Sequence, residues 1–234
     1  MAKNLFRHLN LYYWLRKLSF SKLFQNFRFF NDSFKRKIIF YYIFKSLHWR
    51  DYNKTQSEES VSGLGSDVRI TEKLVLELSG FIKDNQIKSL LDVACGDFIW
   101  MKNIVNENKS LRYCGLEIVN DIVENNNKRY SNSRIKFDCV DVINSKFPNN
   151  YDLILVRDFF IHIKNDDIKN LLKKIKSSNC KYFAINNFPK VTLNKEVKNY
   201  GHHRLLNIEI EPFNLKDPCN VIDDHDRKLN IYKI

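Results

Sequence analysis

At 234 residues the chain is long enough to bury one sizeable core with an appendage, and short for two independent domains. Its composition, 44% hydrophobic and 28% charged, excludes a disordered chain. The net charge of +12 is concentrated at one end: residues 1–50 hold six Lys and five Arg against a single acid, Asp32. The longest clean apolar run there, Ile38 to Phe44, is seven residues between lysines, which excludes a bilayer span or a signal peptide at that place.

Residues 1–50 read as a basic, aromatic-rich helical extension. Phe20, Leu23, Phe24, Phe27, Phe30 and Phe34 recur at three- and four-residue steps, the period of one helix face. Basic residues interleaved with Phe and Tyr suit a peripheral contact with an anionic membrane surface. The competing reading, preferred because so much apolar surface is costly to expose, packs these rings on the domain that follows or on another subunit. A polar stretch with Gly63 and Gly65 follows, so residues 51–65 read as a flexible joint.

From Ser66, taken as an N-cap, a helix with Ile70, Leu74, Leu78 and Phe81 on one face begins a regular alternation. Strands are predicted at Ser89–Val93, Tyr113–Glu117, Ile135–Val140, Tyr151–Val156 and Lys181–Asn186, with helices near 98–107, 119–130 and 166–176. Segments around 205–210 and 229–233 read as strands closing the sheet. The fold class is α/β: a doubly wound, mostly parallel seven-stranded sheet, covered on both faces, with residues 66–234 as its domain. Ligands of such sheets gather at the carboxyl ends of the strands.

Three acids stand at those ends. Ser89 to Phe98, SLLDVACGDF, is a buried strand that ends in an acid, turns through Gly96 and opens a helix. A glycine turn lets the backbone approach a ligand, and a helix N-terminus favours a carboxylate. Glu117 ends the second strand, 21 residues after Gly96, where an acid accepts hydrogen bonds from ribose hydroxyls. Asp141 ends the third, where it can accept from the exocyclic amine of adenine. Singly, each acid is a cap or a solvated turn; together they outline a nucleoside site built from Asp92, Ala94, Cys95, Gly96, Glu117, Ile118, Asp141 and Val142.

On these residues the chain resembles the class I S-adenosylmethionine-dependent methyltransferases, Rossmann-like enzymes, over about residues 66–234. Leu91 to Gly96 looks like their first motif, beneath the methionine part of the cofactor, although Asp97 stands where the family usually has a second glycine. The resemblance implies S-adenosyl-L-methionine as cofactor, Glu117 as the ribose acid and Asp141 as the adenine acid. Glu59 to Ser66, Asp152 to Asp158 with His162, and Pro212-Phe213-Asn214 further resemble a group of small bacterial methyltransferases associated with surface-polysaccharide and capsule biosynthesis. That resemblance implies O-methylation of a small-molecule or glycan acceptor: a sugar, a sugar nucleotide or a related cell-surface precursor.

Arg157, Asp158 and His162 follow the fourth strand, where this fold sets the acceptor beside the methyl group. His162 is the candidate general base, because it alone in this stretch titrates near neutrality when unperturbed; a histidine hydrogen-bonded to a loop is the plain alternative. Asp158, four residues before it, would share its face on a helix and orient it, hold a substrate hydroxyl or bind the cofactor's amino group. Arg157 reads as a contact to the cofactor or to an anionic substrate, or as a scaffold salt bridge. Asn187, His202, His203 and Arg204 lie in or before a segment that would cover the substrate. Adjacent histidines point to opposite sides of an extended chain and no third ligand is at hand, so no metal is expected.

The nearest rival enzyme, a nicotinamide-dependent oxidoreductase, needs a G-x-G-x-x-G loop where this chain has only Gly96. Base-amine methylation of nucleic acid is disfavoured, because Arg157-Asp158-Phe159-Phe160 lacks the Pro-Pro-aromatic motif. Pro218-Cys219, far beyond the fourth strand, reads as coincidence rather than a cytosine-5 nucleophile. A non-enzymatic membrane-surface or partner-binding module is the rival from outside enzymology, and an oligomer is compatible with the aromatic surface. The five cysteines are scattered with no C-x-x-C pair, as in a reduced cytoplasmic protein, at the inner membrane surface if the basic segment engages it.

Overall fold

A computed structural model describes residues 30–49 and 60–234. Helix α1 (Asp32–Lys45) is followed by a 3-10 turn at Leu64–Ser66 and by α2 (Val68–Asp84). Then come β1 (Ser89–Val93), α3 (Met101–Glu107), β2 (Arg112–Glu117), α4 (Asn120–Tyr130), β3 (Ile135–Cys139) and β4 (Leu153–Val156). A second 3-10 turn, Phe160–His162, precedes α5 (Asn165–Lys176), β5 (Tyr182–Asn187), β6 (Asn220–Asp224) and β7 (Arg227–Lys233). The seven strands lie in one sheet in the order β3-β2-β1-β4-β5-β7-β6. β1 to β5 pair in parallel, and β7 runs antiparallel to both β5 and β6. Sequence and structure agree on a doubly wound α/β sheet with a helix N-terminal to it.

The central strands have period-two side chains buried on both faces. Leu91 and Val93 of β1 join Ile154 and Val156 of β4 in one cluster, while Leu90, Leu153 and Leu155 join another on the opposite face. α2 and α3 cover the second face through Leu74, Leu78, Phe81, Met101 and Ile104. α1 and α5 cover the first. α5 buries Ile168, Leu171, Leu172 and Ile175, with Asp166 and Asp167 in its first turn and three lysines in its last, as the helix dipole favours.

α1 is built into this core. Asn31 caps it, its side chain accepting the Phe34 N–H at 2.9 Å. Ile39, Phe40, Ile43 and Phe44 are buried in the cluster that holds β1 and β4. At about 1.5–3 kcal/mol for each such side chain, an upper estimate, their burial rivals the roughly 5–15 kcal/mol of a whole domain's stability. Of the aromatic stripe predicted upstream, Phe20 to Phe27 lie outside the described residues; Phe30 and Phe34 stack at 4.7 Å and stay largely exposed. Residues 51–59 of the predicted joint are likewise outside them.

Four local expectations are corrected. The cap of α2 is Asp67, not Ser66, its carboxylate accepting the Arg69 N–H at 2.9 Å. Helix α3 starts at Met101 because Phe98 takes a left-handed φ of 63° and delays the first turn. Segment 205–210 is not a strand, because side-chain amides take its backbone donors: Asn194 accepts from Asn207, Asn187 from Ile208, and Asn207 from Glu209. The sixth strand is Asn220–Asp224, which hairpins with β7. Finally, Asp158 and His162 share no helix, because Asp158 sits at φ 58° and His162 ends a separate 3-10 turn.

Candidate active site

A cavity opens at the carboxyl ends of β1 to β4, and the strand-end acids line it. Asp92 closes on the Tyr113 hydroxyl at 2.8 Å. Burial pushes its carboxyl up to about 7, with the Tyr113 bond and the charge of Arg157 pulling the other way. The chain then turns through Ala94 at φ 62° and Gly96 at φ 56°. A Cβ on Gly96 would collide with the Ser62 hydroxyl, so only glycine leaves this turn its close approach. Ser62 Oγ in turn accepts the Asp97 N–H at 3.1 Å, while the Asp97 carboxylate accepts from Ser60 Oγ at 2.9 Å and Val61 N at 2.6 Å. Asp97, the departure from the usual second glycine, thus ties residues 60–62 down over the loop.

Glu117 accepts three backbone N–H groups: Gly96 at 3.2 Å, Ile118 at 2.7 Å and Val119 at 3.2 Å. Burial still raises its carboxyl, the three bonds opposing it. Asp141, past the end of β3, is bonded by Arg36 from α1, Nε at 3.3 Å and a terminal nitrogen at 2.8 Å. Ser33 Oγ adds a 2.6 Å bond and the Ile143 N–H one of 3.3 Å. Arg36 is 2% exposed and Asp141 8%, so this is a desolvated ion pair.

At the other side of the cavity Arg157 leaves β4 in full use. It grips Asp224 with two 2.8 Å bonds, donates to the Gly65 carbonyl at 2.8 Å and lies 4.8 Å over the Trp100 ring. Asp158 accepts from Asn186 at 2.6 Å and from Arg227 at 2.8 Å. A Cβ on Gly65 would strike that carboxylate, which is why the turn carries glycine there. Arg227 also reaches Asp224 at 3.1 Å, closing a ring of two arginines and two aspartates. The scaffold alternative for Arg157 is therefore the one this geometry displays.

His162 is buried in the wall of the same cavity, its ring stacked on Trp49 at 4.6 Å. Its Nδ1 meets the His202 carbonyl at 3.2 Å. A carbonyl only accepts, so this contact calls for the Nδ1–H tautomer and puts the lone pair on Nε2. Burial, then the neighbouring His203, push the imidazole down to about 4. The near-neutral titration expected of an unperturbed histidine is thus replaced by a group neutral at physiological pH. The charge of Asp158 acts on it through space, in the direction that favours the imidazolium.

The cavity gathers Asp92, Ala94, Cys95, Gly96, Glu117, Ile118, Asp141, Val142, Arg157, Asp158 and His162. It does not gather Asn187, His202, His203 or Arg204. Asn187 spends its amide on the Ile208 N–H and on Glu209. Arg204 donates to the Ile161 carbonyl and to Asn165, and His202 holds His162 through its backbone. His203 sets its ring 5.9 Å from that of His162. Among the described residues no group of three or more His, Cys, Asp or Glu is placed to hold a metal. Arg36, Phe40, Phe44, Trp49 and Trp100 also line the cavity, although no sequence motif marks them as site residues. Ser62 and Ser66, which line it too, belong to the quoted Glu59 to Ser66 motif.

Residues 90–178, from β1 past the end of α5, match the family model described as a methyltransferase domain. No curated protein sequence matches the chain. Among solved structures it is similar to magnesium protoporphyrin IX methyltransferase (ChlM) from Synechocystis PCC 6803 with bound SAM, at 13% identity and a TM-score of 0.57, covering 87% of this chain and 96% of that one. It is also similar to PigF with SAH, at 16% identity and a TM-score of 0.61, covering 90% of this chain and 65% of PigF. A third similar structure is the methyltransferase domain of bacterial CtHen1-CN, at 13% identity and a TM-score of 0.52, over 70% of this chain and all of that domain. At these identities the three establish the fold. With that fold, a methyltransferase family model matched across its central strands, and three acids and a glycine turn around one cavity, the chain is an S-adenosylmethionine-dependent methyltransferase.

Proposed function

We propose that the enzyme methylates an oxygen of a sugar, sugar nucleotide or related cell-surface precursor, with His162 as the general base. The observation that carries the base assignment is the position of His162: in the cavity wall, with Nδ1–H committed to the His202 carbonyl and Nε2 left to accept a proton. The choice of acceptor is supported by the resemblance of Glu59 to Ser66, Asp152 to Asp158 with His162, and Pro212 to Asn214. Indole rings, two of which (Trp49 and Trp100) line the cavity, suit the apolar faces of a sugar.

The residues fit the cofactor. When bound, S-adenosylmethionine would supply an electrophilic methyl group, carried on a sulfonium sulfur, for the acceptor oxygen. Gly96 gives the close backbone approach, and Ala94, Cys95, Ile118 and Val142 flank the acids. Glu117 carries three hydrogen bonds on a carboxylate that accepts about four, leaving a place for a ribose hydroxyl. Asp141 is the acceptor for the adenine amine. On the reacting side, His162 takes the hydroxyl proton at Nε2, and Asp158 stabilises the imidazolium as it forms. Arg157 holds Asp158 and the Gly65 turn in register, and Trp49 and Phe159 keep water from the site.

The test is a donor-consumption screen of the purified protein against nucleotide sugars and phosphosugars, repeated with His162→Asn. Turnover of one such acceptor, reduced roughly 10²–10⁴-fold in the variant with cofactor affinity kept, is the expected result. Failure of every sugar acceptor under conditions where a non-carbohydrate is methylated would refute the substrate class. For location we propose the cytoplasm, with the charge of residues 1–50 favouring contact with an anionic inner-membrane surface; among the described residues no helix is long and apolar enough to cross a membrane. Flotation with anionic liposomes at low salt, lost at high salt, is the expected behaviour.

A further inference from the structure

The Asp141 carboxylate is full. Its Oδ1 accepts from Arg36 Nε and the Ile143 N–H, both at 3.3 Å, and its Oδ2 accepts from Arg36 at 2.8 Å and Ser33 Oγ at 2.6 Å. Two oxygens offer about four lone-pair sites, and four donors occupy them. An adenine amine would be a fifth. Three of the four donors, two from Arg36 and one from Ser33, belong to α1, more than a hundred positions away in sequence.

We infer that Arg36 and Ser33 govern exchange of the cofactor at the nucleoside end of the cavity: the adenine amine is received by Asp141 only as the first turn of α1 gives up a hydrogen bond to it. The inference rests on the reading that Asp141 is the adenine acceptor. Arg36 has other partners to keep when it yields, the Tyr200 hydroxyl at 3.1 Å and Asp167 at 3.8 Å. The helix is also graded for such a motion. Its second half is anchored by Ile39, Phe40 and Ile43, at 2%, 4% and 1% exposure, whereas Phe34 in its first turn and Phe30 just before its cap are 39% and 47% exposed. The turn that carries Ser33 is therefore the part with least apolar surface to lose by lifting. Release is local, and the core packing of α1 stays in place.

Stopped-flow association of S-adenosylhomocysteine with the full-length protein tests this, read by the fluorescence of Trp49 and Trp100 in the cavity wall. Ser33→Ala, which removes one donor and keeps the ion pair, should raise the association rate about three- to tenfold, the equivalent of one net hydrogen bond. Arg36→Gln should raise it further; should that variant not fold, Ser33→Ala alone decides the question. Unchanged or slower association in the folded variants would overturn the inference. Asp141→Asn separates it from the reading beneath it. About tenfold weaker binding there, with indifference to the purine 6-amine measured against S-inosylhomocysteine, upholds the adenine assignment whatever Ser33 does. Wild-type binding by Asp141→Asn would remove that assignment, and the gate with it.

Discussion

His162 gives the structure a pH signature that can be calculated. Burial and His203 hold its imidazole at about 4, against an ordinary value of 6.5. Between those values the unfolded chain takes up a proton that the folded one refuses, so stability is lost as pH falls from about 6.5 towards 4. Going from pH 7 to pH 5 this one group costs about 2 kcal/mol. Asp92 works in the opposite sense. Its folded value of about 7 lies above the ordinary 3.8, so the folded state binds the proton first and gains roughly 2 kcal/mol over the same interval. The two nearly cancel, and the wild type hides both. His162→Asn should expose the Asp92 effect: relative to wild type, the variant becomes more stable by about 2 kcal/mol on moving from pH 7 to pH 5. Any packing defect left by the smaller side chain is the same at both pH values and drops out of the difference. The measurement is urea unfolding of both proteins at each pH, with matching m-values as the control. A gap between variant and wild type that stays constant within about 0.5 kcal/mol would refute the claim that the fold keeps His162 neutral.

Other consequences follow from single contacts. If the buried imidazole is the base, the acid limb of the kcat profile lies well below neutrality and disappears in His162→Asn. Glu117→Ala removes a carboxylate that holds the Gly96 and Ile118 N–H groups, and should weaken binding of S-adenosylmethionine by about 1.5–3 kcal/mol in a calorimetric titration. Asp224→Ala leaves the buried Arg157 guanidinium without its bidentate partner and should cost about 3–5 kcal/mol of stability in urea unfolding. Gly96→Ala forces a Cβ onto Ser62 at a left-handed φ, and should lower the melting temperature by an amount equivalent to at least about 1 kcal/mol.

What was legible in the sequence is what local pattern controls. β1 matches its predicted span residue for residue, because Leu90, Leu91 and Val93 make a short buried apolar run between polar turns, interrupted only by Asp92. Glu117, Asp141 and Gly96 were recoverable because a strand end is a sequence position. The misread segments are those in which side chains replace the backbone ladder. Residues 205–210 alternate like a strand, yet Asn194, Asn187 and Asn207 take up their N–H groups. Arg36 was invisible as a site residue for another reason: its partner, Asp141, is 105 positions away, and nothing local distinguishes it from the ten other basic residues in the first fifty. A helix that reads as an appendage by composition turned out to line the cavity through Phe40 and Phe44.

The charge ring at the end of β4 shows how distant parts of the chain come to share one site. Arg157 is fixed to Asp224 on β6 and to the Gly65 carbonyl before α2, and Arg227 on β7 binds both Asp158 and Asp224. Apolar groups of the same volume could stabilise such a place equally well, because desolvation consumes much of what the ion pairs return. Apolar groups would not set directions. Each guanidinium fork allows its carboxylate only a narrow range of positions, so Asp158, at a left-handed φ of 58°, is held there from three sides by Asn186, Arg157 and Arg227. That constraint bears on His162 in its proposed role as the base. An imidazole held at about 4 gains most from a negative charge that is already in place when the proton arrives, since nothing then has to reorganise. On the proposed mechanism the ring would act on the chemistry through Asp158, and the residues that complete it lie on both sides of the strand-end motifs, in the turn before α2 and in the last hairpin of the sheet.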